Sequence, residues 1–147
     1  SALKASHYEE AERAFELLMT RALKDGHVSV RTYASLVQVR WGRESTSVVW
    51  DLLTHVDREV RVQALWALSG RIALERRLGN ETRRLEKRSL ESAKEALSDT
   101  EDVVVREAIR LLGAIGGERA VAILKPLYAM ESTAFRVEVA AALLSAD

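Results

Sequence analysis

Between Asp57 and Gly70 the chain reads DREVRVQALWALSG: an acidic turn, a Val-Arg pair, then small and apolar residues three and four apart. Val60, Ala64, Ala67 and Leu68 fall on one face at helical spacing. Asp57 is placed to cap this helix, Glu59 puts negative charge in its first turn, and Gly70 offers a stop. Weaker copies lie on either side. Asp25 to Arg31 leads into Ala34 and Val37, Asp99 to Arg106 into Ala108, Leu111 and Leu112, and Thr133 to Arg136 into Val139, Ala142 and Leu143. The four anchoring arginines, Arg31, Arg61, Arg106 and Arg136, stand 30, 45 and 30 residues apart. Repetition at that period points to a solenoid of stacked helical units.

The segments between these copies complete the pattern. Tyr8, Ala11, Phe15, Leu18 and Ala22 predict an amphipathic helix over about 6–24. Val28 to Trp41 follows it, ended by Gly42. Val48, Val49, Leu52, Leu53 and Val56 predict a second outer helix, capped by Ser45 or Ser47. The third interval is longer. Residues 71–88 read RIALERRLGNETRRLEKR, with seven basic and three acidic side chains. Two readings are open here: a disordered loop, or a charged helical hairpin projecting past the edge of the stack. In the hairpin, the helix from Asp57 overruns Gly70 to about Leu78, and a new one spans about 81–97 on a thin stripe of Leu85, Ser89, Ala93 and Leu97. Val103-Val104-Val105 lacks the alternation of a strand and belongs to a helix opened at Asp99 or Thr100. Ala120, Ile123, Leu124, Leu127 and Tyr128 predict the next, with Pro126 inside it, and a last helix runs over about 133–145.

An acidic turn, Val-Arg, then Ala-x-x-Ala-Leu with a trailing glycine resembles the second helix of a HEAT repeat. Gln38 stands where leucine is usual, and Gly113 falls early relative to Arg106. The resemblance implies an all-α fold: an α-α superhelix of about four HEAT-like hairpins in a right-handed stack, with one extended hairpin near 71–88. Residues 1–147 would form a single repeat domain, expected to be a fragment of a longer protein, with Ser1-Ala2 as a cloning remnant. In this family the repeated arginine usually pairs with an acid of its own or the next turn, a role for which Asp57 and Asp102 are placed, and outer helices often carry a proline such as Pro126.

Composition narrows the function. The 147 residues carry 22 basic and 22 acidic side chains, which argues against coating nucleic acid by bulk attraction. No cysteine is present, so neither disulfides nor thiolate metal sites arise. No apolar run reaches the roughly 18 residues of a membrane span, and a cytoplasmic location is expected. His7, His27 and His55 sit at separate helix ends without metal-ligand spacing, and Gly113, Gly116 and Gly117 lack the Lys-Ser/Thr of a phosphate loop. No catalytic constellation and no cofactor is expected.

The expectation is therefore a non-catalytic protein-interaction or scaffold module. Its concave face would present Gln63, Trp66 and Arg110, with Trp66 either a binding anchor or a contact with a neighbouring helix. Arg76, Arg77, Arg83, Arg84 and Arg88 of the basic hairpin would meet an acidic protein partner or nucleic-acid phosphates, or form a plain solvated face laced with i,i+4 pairs such as Arg71–Glu75. Trp41 and Trp50 would seal the first two repeats, with Arg40 and Arg43 over Trp41. An oligomer through the open Leu143-Leu144 end is a further expectation. Two rivals rest on the resemblance: a nucleic-acid-binding solenoid, as in a class of alkylpurine glycosylases, and a lyase or chaperone-like protein, as in some bilin lyases.

Overall fold

The computed structural model describes residues 2–130 and 133–147; Ser1 lies outside them. Seven α-helices occur among the described residues and no strand: α1 (Ala2–Leu23), α2 (Val28–Arg40), α3 (Arg58–Arg77), α4 (Arg83–Ala96), α5 (Asp102–Ile115), α6 (Gly117–Met130) and α7 (Thr133–Ala146). Val103 to Val105 lie in the first turn of α5.

The predicted second outer helix is replaced by two short 3₁₀ segments, Thr46–Val48 and Trp50–Thr54. Ser, Thr and β-branched Val, all weaker helix formers, dominate this stretch. Val49 is buried there, but Val56, expected in the buried stripe, is 93 % exposed.

The cap of α3 forms as its sequence predicts. Asp57 is extended (φ −80°, ψ 120°) and its carboxylate accepts from the Glu59 N–H at 2.9 Å. The helix then passes through Gly70 and ends where Gly79 takes a left-handed φ of 73°. Gly70 is tolerated inside it because the Arg40 side chain occupies the space a Cβ would need.

Packing runs from neighbour to neighbour. The principal contacts join α2 to α3, α3 to α5, and α5 to α7; α1 rests on α2, the second 3₁₀ segment on α3, α4 on α5, and α6 on α7. Val60, Ala64, Ala67 and Leu68 are all buried, joined by Leu65 and Ile72 of the same helix. Opposite them stand Leu36 and Val39 of α2 and Val104, Ala108, Leu111 and Leu112 of α5. The alanines bring helices close, and Gly113 takes this furthest: a Cβ there would stand 2.8 Å from Ala142 Cα.

The predicted stripe of α1 is not buried. Tyr8 and Leu18 are 69 % and 61 % exposed, and no residue of α1 is fully buried, because the helix packs chiefly on α2. The hairpin at 71–88 is helical on both arms and is tied to the end of α5 through Arg76. Leu90 and Ala93, with the polar Ser89 beside them, are buried where α4 packs against α5.

Candidate functional site

Two surfaces gather the residues singled out by the sequence. The first is formed by α2, α3, α5 and α7. Gln63 and Trp66 on α3 are half-buried. The Arg40 guanidinium lies 4.1 Å from the Trp66 ring centroid and also donates to the Trp66 carbonyl. This corrects the expectation that Arg40 and Arg43 cover Trp41. Arg40 points along α3 toward Gly70, Arg43 lies over Phe15 at 4.9 Å, and Trp41 is left 53 % exposed.

Arg110 on α5 does not reach out alone. Its Nε and Nη2 donate to Glu138 of α7 at 3.2 and 2.9 Å, and Nη1 donates to Glu107 at 3.1 Å. Glu107 is only 7 % exposed. Burial raises its pKa, while Arg110 and then Arg40 act the other way. The bond to Glu138, with lesser help from Glu107, raises the pKa of Arg110. Trp66 and Arg110 thus belong to a row of partnered side chains crossing four helices.

The second surface is the α3–α4 hairpin. Arg76 is fully engaged: Nε and Nη2 bind Glu86, Nη1 donates to the Ala114 carbonyl at 2.7 Å, and Nη2 reaches the Ile115 carbonyl. Those carbonyls end α5 and have no partner within the helix, so Arg76 fastens the hairpin there. Arg71 is similarly held, by Glu75 at 2.7 Å and by the carbonyls of Val39 and Glu44. Asn80 and then Arg71 hold the Glu75 carboxyl below its ordinary pKa.

Arg77, Arg83, Arg84 and Arg88 differ. All are exposed, and among the described residues none has a carboxylate within ion-pair distance. Lys87, which the sequence reading passed over, shares this state. Arg83 and Lys87 line a cleft of about 550 Å³ with Arg119 beside Gly116 and Gly117. Arg88 lies 4.1 Å over the Trp50 ring at a second cleft of about 470 Å³, whose wall includes Arg61 and Asp99. Trp50 thus meets α4 on one side while it packs against the core, whereas Trp41 is left exposed. The partner of Trp50 was hidden because Arg88 lies 38 residues further on in the sequence.

Of the repeated arginines, Arg61 bridges to the next turn, with Nε and Nη2 on the Asp99 carboxylate at 2.8 and 3.0 Å and Nη1 on the His55 and Val56 carbonyls. Asp57, expected as its partner, caps α3 instead. Arg31 donates to the Asp25 carbonyl, while Arg106 lies over Phe135 and Arg136 over Tyr128. Asp102 is exposed, and the side chain of Arg106 turns to the aromatic ring of α7 rather than to it.

His27 contacts Asp25 at 3.0 Å, and Nδ1 of His55 accepts from the Asp57 N–H, so both act within turns. Among the described residues no three His, Cys, Asp or Glu side chains cluster as a metal site would require. Neither the known family models nor the sequences of curated proteins give a match to this chain.

Proposed function

We propose that the chain is a HEAT-like α-solenoid working as a non-catalytic protein-interaction module that binds an acidic partner. The observation that carries this reading is the positive excess of the hairpin, where Arg77, Arg83, Arg84, Lys87 and Arg88 lack an ion-pair partner among the described residues and outnumber the exposed carboxylates Glu81, Glu91 and Glu95. Neighbouring arginines of the same hairpin are saturated by carboxylates and carbonyls, so the free cations are a local excess rather than general surface charge. Their helix is held by buried Ser89, Leu90 and Ala93, and Arg76 anchors the arm that precedes it. Cations placed beforehand on rigid helices lose little ordering entropy when a partner docks. The neighbour-to-neighbour packing order supports the solenoid, with Gln63, Trp66 and Arg110 on its concave wall as a second contact.

The test uses a chain carrying Arg77→Glu, Arg83→Glu, Arg84→Glu and Arg88→Glu together. A labelled oligoglutamate peptide and a short DNA duplex serve as probes, followed by fluorescence anisotropy at two salt concentrations. The peptide should bind the native chain and lose about tenfold in affinity, roughly 1.4 kcal/mol, with the variant while helicity is kept. Equal affinity for both chains would reduce the cations to a solvated surface. Tighter binding of the duplex, with a steep salt dependence, would establish the nucleic-acid reading instead.

A further inference from the structure

A groove of about 510 Å³ lies where Tyr8, Glu12 and Phe15 of α1 meet Trp41 and Arg43 beyond α2 and Leu74 of α3. Its aromatic residues are unusually open: Tyr8 is 69 % and Trp41 53 % exposed. Large apolar side chains gathered on one exposed patch mark interaction surfaces more often than isolated ones do.

The groove already holds one cation. Arg43 Cζ lies 4.9 Å from the Phe15 ring centroid, and its Nη atoms stand 2.9 Å from Glu12 and 3.5 Å from Glu16. Glu12 lines the groove and Glu16, just outside its lining, shares the same guanidinium; Arg43 is the one basic side chain of that lining among the described residues. No cation lies over Tyr8 or Trp41 among those residues, although Phe15 beside them has one.

We infer that this groove binds an arginine side chain of a partner protein, stacked on Trp41 and Tyr8 with its charge against Glu12 and Glu16. The quadrupole of an aromatic ring attracts a cation over its face, and Trp does so most strongly. A guanidinium suits the groove better than an ammonium because it is planar, stacks, and is more weakly hydrated. The carboxylates are 43 % and 62 % exposed, so an ion pair alone would contribute little and the rings must supply selectivity. Arg43 then competes with the incoming arginine for the same two carboxylates. This site prefers a charge opposite to that sought by α4, so it stands or falls separately from the function proposed above.

The test follows the three tryptophan indole N–H signals by NMR while acetyl-arginine amide is added to the whole chain. The Trp41 signal should shift saturably, with those of Trp50 and Trp66 fixed, and acetyl-norleucine amide should have no effect. Arg43→Ala should tighten binding by about two- to fivefold, because it frees Glu12, Glu16 and Phe15. Trp41→Ala and Glu12→Gln should each weaken it by about the same factor, read at the Tyr8 ring protons. Circular dichroism and Tm establish that each variant keeps its fold; where Arg43→Ala does not, Glu12→Gln decides. An unmoved Trp41 signal, an equal response to norleucine or lysine amide, or weaker binding by a folded Arg43→Ala would overturn the assignment.

Discussion

Gly113 and Ala142 fix how closely α5 and α7 approach. Replacing glycine with alanine inside a helix ordinarily gains up to about 1 kcal/mol from backbone entropy. Here the added Cβ would stand 2.8 Å from Ala142 Cα and 3.1 Å from its carbonyl oxygen, so backbone would have to move. Overpacking of that kind costs about 1–3 kcal/mol and wins. Gly113→Ala should therefore lower the urea midpoint without changing helical content. Arg61 and Asp99 set a second expectation. Burial works to raise the Asp99 carboxyl, but Arg61 and the Glu101 N–H outweigh it and hold the pKa below its ordinary value. A carboxyl depressed by folding contributes stability that is full above its unfolded pKa, about 3.9, and is lost as pH falls through the folded value. The Tm advantage of the native chain over Asp99→Asn should thus be steady near neutrality and vanish on acidification below that point. The arginine could be picked out by its repetition, but its acid could not: Asp99 lies 38 residues away, and a nearer candidate, Asp57, is taken up by capping.

Element by element, the clearest helices were those whose apolar stripe had company. The α3 stripe and cap were legible from Asp57 to Leu68, and the two arms at 71–88 formed as helices around Gly79. The helix expected between Ser45 and Val56 gave way to two 3₁₀ segments, since Ser, Thr and β-branched Val there weaken the helical preference that the spacing suggested. In α1 the spacing was right but burial did not follow, since a stripe can be covered only where another element lies against it. That difference has a dynamic consequence. Regions with few buried apolar contacts open at low free energy. Amide hydrogens of α1 should exchange well before those of α3 and α5 in a hydrogen-exchange experiment, and equal protection would mean that α1 is covered by an interaction beyond its contact with α2.

Across the whole molecule, a net charge of zero covers an uneven distribution. Free cations collect on α4 and at the end of α3, while Glu12 and Glu16 share Arg43 beside exposed Tyr8 and Trp41. At the other end Tyr128, Val137 and Leu144 are 43, 69 and 82 % exposed. That matches the expectation for Leu144, whereas Leu143 is half-buried against the core. No helix among the described residues is long and apolar enough to cross a membrane.

Outside the stretch from Ser45 to Val56, local information determined which segments are helical, where α3 is capped, and which alanines and leucines of α3 and α5 face inward, because capping bonds and 3.6-residue periodicity act within a few turns. Tertiary structure alone decided the partners of the long cationic side chains: Arg40 on Trp66, Arg88 on Trp50, Arg76 at the end of α5, and Arg43 in the groove beside Trp41. An arginine reaches several ångströms from its own backbone. Which ring, carboxylate or carbonyl it meets depends on the distance and angle between packed helices, and no local pattern of residues encodes those quantities.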